Sequence, residues 1–313
     1  MTQQRLRIGT RASRLALWQA EWVRTRLQQL HPGLQVELTK IQTEGDRILD
    51  VPLAKIGGKG LFVKEIEEAL LDGRIDLAVH SMKDVPTALP SGLELRCITE
   101  RADPRDCLVL AVPAKSLADL PQKARIGTSS LRRRAQLLHL RPDLHISDMR
   151  GNVDTRLRKM HEEGLDGIVL AAAGLKRLGY EKHIGLYLEP ADCLPAIAQG
   201  ALGLECRSDD EATHALLAPL HHPATATAVT AERAFLARLE GGCQVPVAGY
   251  AQLLDNRLHL TGLVASIDGN EVLTDRLSCP PAEAADAGAA LAEILLRCGA
   301  DRILGELYGQ AEG

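Results

Sequence analysis

The chain has 313 residues, 45% hydrophobic and 25% charged, which suits two or three domains with a sizeable core. Aromatics at 3% argue against a platform that stacks nucleic-acid bases on rings, and no apolar run approaches the roughly 20 residues of a membrane span. The net charge of −4 is uneven: residues 123–160 hold ten Lys/Arg against three acids, which suggests a local site for an anionic ligand.

In chain order, RLRIG reads as a short strand and SRLALWQAEWVRTRLQQL as a helix capped by Ser13. LQVELTKI alternates like a strand, GLFVKEIEEALLDG is an amphipathic helix closed by Gly73, and IDLAVHSM is a buried strand. This alternation predicts an α/β layer with parallel strands. ARIGTSS with LRRRAQLLHL, LHISDMRG with NVDTRLRKMHEEG, and GIVLAAA with GLKRLG repeat the strand–turn–helix form. They predict a second α/β unit over roughly 105–194. LPAIAQGALGLECR then closes on a strand-like run. After HHPAT (221–225) the character changes: a helix, three alternating segments joined at Asp255-Asn256 and Asp268-Gly269-Asn270, and a further helix predict a small α+β domain. No repeat of fixed period stands out. The opening MTQQRLRIGT has no apolar signal region, so the expected location is cytoplasmic.

Chemistry gathers where strands meet helices. Thr128, Ser129 and Ser130 offer hydroxyls and backbone N–H groups for an anion at a helix start. With Leu131, Ala135 and Leu138 facing the core, Arg132 and Arg133 would fan out beside that mouth. Cations there oppose the helix dipole unless an anion is bound. MRGNVDTRL repeats the arrangement with Arg150 and Arg156, and arginine suits bidentate capture of carboxylates. RIGTRASR supplies a third junction with Arg11 and Ser13; simple capping by Ser13 is the plainer reading. KIGGKGLF, with Lys55, Lys59 and Phe62, reads equally as a basic flap or a plain loop, and does not fit the P-loop pattern. AVHSMKDVP ends a strand with Ser81, Lys83 and Asp84, where α/β folds bind ligands; an Asp there also forms turns.

The seven cysteines have no CxxC spacing, so neither a disulfide framework nor a metal site is expected. Cys243 follows two glycines in LEGGCQVPVAGY. It reads either as a small buried hydrophobe or as a functional thiol on a tight loop.

Together, RIGTRASRLALWQ, KIGGKGLFVKEIE, DLAVHSMKDVP, RIGTSSLRRRAQL, MRGNVDTRL, AAAGLKRLG and LEGGCQVPVAG resemble the porphobilinogen deaminase (hydroxymethylbilane synthase) family, in the family's order. The chain departs from the pattern at Ala198, where glycine is usual, and at Met160, where leucine is usual. The resemblance implies two periplasmic-binding-protein-like α/β domains flanking a cleft, residues 1–104 with 195–220 and residues 105–194. A small C-terminal α+β domain, residues 221–313, would carry the cysteine loop.

The implied reaction is a transfer in tetrapyrrole synthesis. Four porphobilinogen molecules lose ammonia and condense onto a dipyrromethane primer joined by a thioether to Cys243, and water then releases hydroxymethylbilane. Asp84 is the implied catalytic carboxylate. Each pyrrole carries an acetate and a propionate, so carboxylates accumulate as the chain grows. Arg11, Arg132, Arg133, Arg150, Arg156 and Arg177 match the positions that bind them. Ser13, Ser81, Lys83, Thr128, Ser129, Ser130 and Gln199 accompany them, with Lys55 and Lys59 on the flap and Phe62 packing against the ring system. Arg134 has no assigned role. A monomer with no metal, membrane or nucleic-acid partner is expected. Two rivals are a non-enzymatic binder of an anionic small molecule, which gives Cys243 no role, and a cysteine-dependent acyltransferase or hydrolase, which requires a freely reactive thiol.

Overall fold

A computed structural model describes residues 5–47, 63–239 and 245–311. The chain runs β1 (Arg5–Thr10), α1 (Arg14–Leu30), β2 (Gln35–Lys40), the single turn α2 (Glu44–Arg47), α3 (Lys64–Leu71), β3 (Leu77–Ser81) and β4 (Leu93–Ile98). It continues through β5 (Asp106–Leu110), β6 (Arg125–Gly127), α4 (Leu131–Leu140), β7 (His145–Ser147), α5 (Val153–Glu162), β8 (Gly167–Ala171), α6 (Ala172–Arg177) and β9 (Leu186–Leu188). β10 (Leu202–Arg207), α7 (Glu211–Leu217), α8 (Pro223–Arg238), β11 (Val247–Leu254), β12 (Arg257–Ala265), β13 (Val272–Cys279), α9 (Ala284–Leu295) and α10 (Asp301–Ala311) complete it. Among the described residues no helix is long and apolar enough to cross a membrane.

The described residues fall into two compact units. One takes the chain up to Ala102 together with Gly200–Ala226; the other takes Asp103–Gln199 and the chain from Thr227 onward. The first unit is built on a five-stranded sheet of order β2-β1-β3-β10-β4. β1 is parallel to β2 and β3, while β10 is antiparallel to β3 and β4. Both faces are covered. Leu6, Ile8, Leu77 and Val79 pack with Val23 and Leu27 of α1. Ile75, Ala78 and Leu93 pack with Ile66 and Leu70 of α3. A sheet buried on both faces needs apolar residues at consecutive positions, which is why LAVHS reads as a nearly continuous apolar run.

The second unit repeats the plan. Its sheet has the order β7-β6-β8-β5-β9, with β6 parallel to β7 and β8, and β5 antiparallel to β8 and β9. The α/β class expected from the sequence is therefore observed, but each sheet is mixed, because one strand in each enters from outside the strand–helix succession. The duplication is one of topology; no fixed period in the sequence marks it.

The same unit also holds the antiparallel sheet β11-β12-β13. Asp255 and Asn256, at φ 48° and 56°, form its first two-residue turn, as Asp-Asn between alternating runs predicts. Phe235 of α8 is fully buried against this sheet. A Cβ on Gly262 would stand 2.6 Å from the Phe235 ring, so glycine there lets the ring reach the strand. Cys97, Cys107, Cys193, Cys206 and Cys279 are buried and Cys298 is exposed, all as free thiols. Burial pushes the thiols of Cys97, Cys107, Cys193 and Cys206 up to about 12.

Candidate active site

In the first unit, the candidates lie past the C-terminal ends of two adjacent parallel strands. β1 and β3 pair through Ile8–Leu77 and Gly9–Ala78. Arg11 and Ser13 follow β1; Ser81, Lys83 and Asp84 end or follow β3. Ser13 caps α1, its Oγ accepting the Ala16 N–H at 3.3 Å. The buried Gln19 of α1 donates to Ser81 Oγ at 2.8 Å, tying the helix to the strand end. Beyond Ser81 the backbone turns into one 3-10 turn, Met82–Asp84. The alternation of an extended strand is thereby broken: Met82 is buried, Lys83 half-buried and Asp84 exposed. The Asp84 carboxylate thus stands past the C-terminal end of the central strand, next in sequence to the Lys83 ammonium group.

In the second unit, the candidates again lie past parallel strand ends. Thr128–Ser130 follow β6, Arg150 follows β7, and Arg177 ends the helix after β8. Thr128 Oγ1 accepts the Ser130 N–H at 3.2 Å, and Ser130 Oγ caps α4 by accepting the Arg133 N–H at 3.4 Å. Ser129 Oγ donates to the Met149 carbonyl and accepts the Met149 N–H, both at 2.8 Å. These three hydroxyls are thus committed to shaping the strand ends. Gly151, at φ 116°, makes the turn after Arg150; a Cβ there would stand 2.7 Å from Thr155. Arg156 Nε donates to the Gly151 carbonyl at 2.8 Å. Desolvation holds the Arg177 guanidinium down to about 10.

Arg132 and Arg133 do not fan outward as the sequence suggests. They are 5% and 6% exposed and converge on Asp106, the first residue of β5. Arg132 Nη1 donates to Asp106 Oδ2 and to the Leu194 carbonyl, both at 2.7 Å. Arg133 donates to Asp106 Oδ1 from Nε at 3.1 Å and Nη2 at 2.7 Å, and from Nη1 to the Val169 carbonyl at 3.0 Å. Gln199, also buried, donates from Nε2 to Asp106 Oδ1 at 2.9 Å and to the Pro104 carbonyl at 2.7 Å. The buried face of α4 is Arg132, Arg133, Ala135, Gln136 and Leu137, with Leu131 and Leu138 half-buried. Burial alone would raise the Asp106 carboxyl, but the two guanidiniums outweigh it and hold it well below the usual carboxylate range.

Two cations thus share one buried anion. Among the described residues Asp106 is the one carboxylate hydrogen-bonded to either guanidinium, so this cluster carries more positive than negative charge. Asp106 and Gln136 were not anticipated. Gln136 accepts the Leu194 N–H at 2.7 Å and donates back to the Leu194 carbonyl at 3.1 Å. The signal for Asp106 was a lone acid opening the apolar run DCLVL. Lys55, Lys59, Phe62 and Cys243 lie outside the described residues.

Past the strand ends of its mixed sheet the first unit of this α/β protein carries an exposed carboxylate, and past those of its own mixed sheet the second unit carries hydroxyls and cations. The chain matches the family model "Porphobilinogen deaminase, dipyromethane cofactor binding domain" over residues 6–215 and "Porphobilinogen deaminase, C-terminal domain" over residues 226–297. It is 64% identical to a porphobilinogen deaminase of Syntrophotalea carbinolica, over 98% of this chain and 97% of the relative. It is 59% identical to one of Geobacter metallireducens, over 98% and 96%. A TRAP periplasmic solute binding protein from Desulfovibrio salexigens is similar at TM-score 0.44 and 12% identity, covering 70% of this chain and 73% of the other. The chain belongs to the porphobilinogen deaminase family.

Proposed function

We propose that this chain condenses porphobilinogen molecules, with loss of ammonia, and releases hydroxymethylbilane, with Asp84 as the catalytic carboxylate and Cys243 as the attachment point of the primer. Family membership supports the activity. The observation that carries the residue assignment is the surplus cation around Asp106. A buried group of two guanidiniums and one carboxylate favours a further anion nearby, and a dipyrromethane bears acetates and propionates. When bound, the dipyrromethane supplies the terminal pyrrole carbon at which new units join.

The chain's own residues do the rest. Asp84, exposed at its turn, stabilises positive charge beside it and accepts and returns protons at its carboxylate oxygens. Lys83, Arg11, Arg132, Arg150, Arg156 and Arg177 hold carboxylates by charge-assisted hydrogen bonds. Thr128 and Ser130 fix backbone N–H groups at the α4 start and Ser129 holds Met149; Ser13 caps α1 and Ser81 is held by the Gln19 amide. Lys55 and Lys59 are read as flap residues and Phe62 as a packing partner of the pyrrole rings. We further read the division into residues 1–104 with 195–220, 105–194 and 221–313 as the functional one, and the protein as a cytoplasmic monomer without a nucleic-acid partner.

An intact-mass spectrum tests this. The expected mass exceeds the sequence by two linked pyrroles mapped to the Cys243 peptide, and added porphobilinogen extends it in single-pyrrole steps. A bare mass that gains nothing from porphobilinogen rejects the reading. Asp84→Asn should retain the primer and its melting temperature while losing about 100-fold or more in turnover; a near-normal rate removes Asp84 from the mechanism.

A further inference from the structure

We infer that Glu232 is a positioning residue for the arginine pair, acting through Ala198 and Gln199; the inference rests on the function proposed above. Glu232 lies on α8 and is 0% exposed. Its Oε2 accepts the Ala198 N–H at 2.5 Å and its Oε1 accepts the Ala251 N–H of β11 at 2.7 Å. Each of these two backbone groups donates to a different oxygen, an arrangement that a carboxylate meets and an amide, with one oxygen, does not.

Ala198 sits at φ 58°, a region that residues with a Cβ enter only at a cost. The contact with Glu232 holds it there and so aims the next residue. Gln199 reaches Asp106 and the Pro104 carbonyl, and Asp106 fixes both guanidiniums. Apart from the peptide bond that joins Ala198 to Gln199, each link is a hydrogen bond between buried groups, forming a contiguous physical path. Its far end is the helix that stops at Arg238, five positions before Cys243. One helix therefore ends five positions before Cys243 in sequence and, through a buried carboxylate, sets the geometry of the arginine pair.

Amide hydrogen exchange on wild type, Glu232→Gln, Gln199→Met and the double variant tests this path. Glu232→Gln should speed exchange at Ala198 and Ala251 by about tenfold, and also through residues 131–137. Gln199→Met should leave Ala198 and Ala251 protected while loosening 131–137 to a similar extent. The double variant should be no looser at 131–137 than Glu232→Gln, because both changes cut one path. Under turnover with porphobilinogen, both single variants should accumulate partly elongated enzyme at the same chain length. Changes confined to residues 198 and 251, or effects on 131–137 that add, overturn the inference. If Glu232→Gln does not fold, Gln199→Met decides alone: unchanged exchange at 131–137 overturns it. A wild type that gains no pyrroles from porphobilinogen would sink the functional reading instead, while the exchange data would still judge the path.

Discussion

At Ala198 a methyl group occupies a backbone conformation better suited to glycine, the residue usual there in the family pattern. The left-handed region costs an L-residue about 1–2 kcal/mol, whereas glycine adds about 0.4–1 kcal/mol of unfolded-state entropy. Strain relief is the larger effect, so Ala198→Gly should stabilise the fold by a few tenths to about 1 kcal/mol. A melting temperature that falls would contradict the sign. Asp106→Asn tests the opposite extreme. It leaves two buried guanidiniums without a countercharge, at an expected cost of about 3–5 kcal/mol in urea unfolding; a loss under about 1 kcal/mol would mean the pair is solvated after all. Acid should act through the same residue. The folded Asp106 carboxyl is depressed, as is that of Asp103, where burial is outweighed by bonds from Arg105 and Lys176. Their stabilisation is complete above the unfolded value near 4 and is lost as pH falls toward the folded values. Stability should therefore decline steadily below about pH 4, and less steeply in Asp106→Asn.

Elements were more legible than contacts. Helix α1, the hairpin turn at Asp255-Asn256 and the apolar strand β3 followed from capping, turn chemistry and burial on two faces. The buried face of α4 did not. Apolar periodicity assigns Leu131 and Leu138 to the core, yet the neighbours there are a carboxylate and backbone carbonyls, and arginine satisfies them better. The partner that decides this, Asp106, is 26 residues from Arg132 in sequence, beyond the reach of local pattern. Of the candidate site, the residue types and their strand-end placement were readable; the distinction between hydroxyls that shape the loop and groups that face a ligand was not. Ser129 illustrates the point. Its Oγ serves both polar groups of Met149, a residue 2% exposed. Ser129→Ala should therefore cost about 1–3 kcal/mol by leaving that backbone unsatisfied. A loss in turnover without a loss in unfolding free energy would instead mark Ser129 as a ligand contact.

For the whole molecule, the order of synthesis matters. The first sheet holds β10 between β3 and β4, yet β10 follows the entire 103–199 segment. The second sheet needs only β5–β9 and is complete by Leu188. Non-local pairing of this kind is slow to form. A fragment ending at residue 199 should keep the second sheet but lack a cooperative transition for the first, since β4 has no other neighbour in it. Two full transitions in urea would refute that.

The buried thiols have a practical consequence for labelling. At neutral pH, Cys97, Cys107, Cys193 and Cys206 contribute almost no thiolate, because burial holds them near 12, and alkylating reagents attack thiolate. Cys279 is buried and shifted the same way. Among the described cysteines, Cys298 alone supplies an exposed sulfur. Native maleimide counting thus has a background of one, against which Cys243 reads as a binary signal. If Cys243 is the attachment point as proposed, protein carrying the primer should give a stoichiometry of one and protein without it two, so each preparation can be graded before any substrate is added.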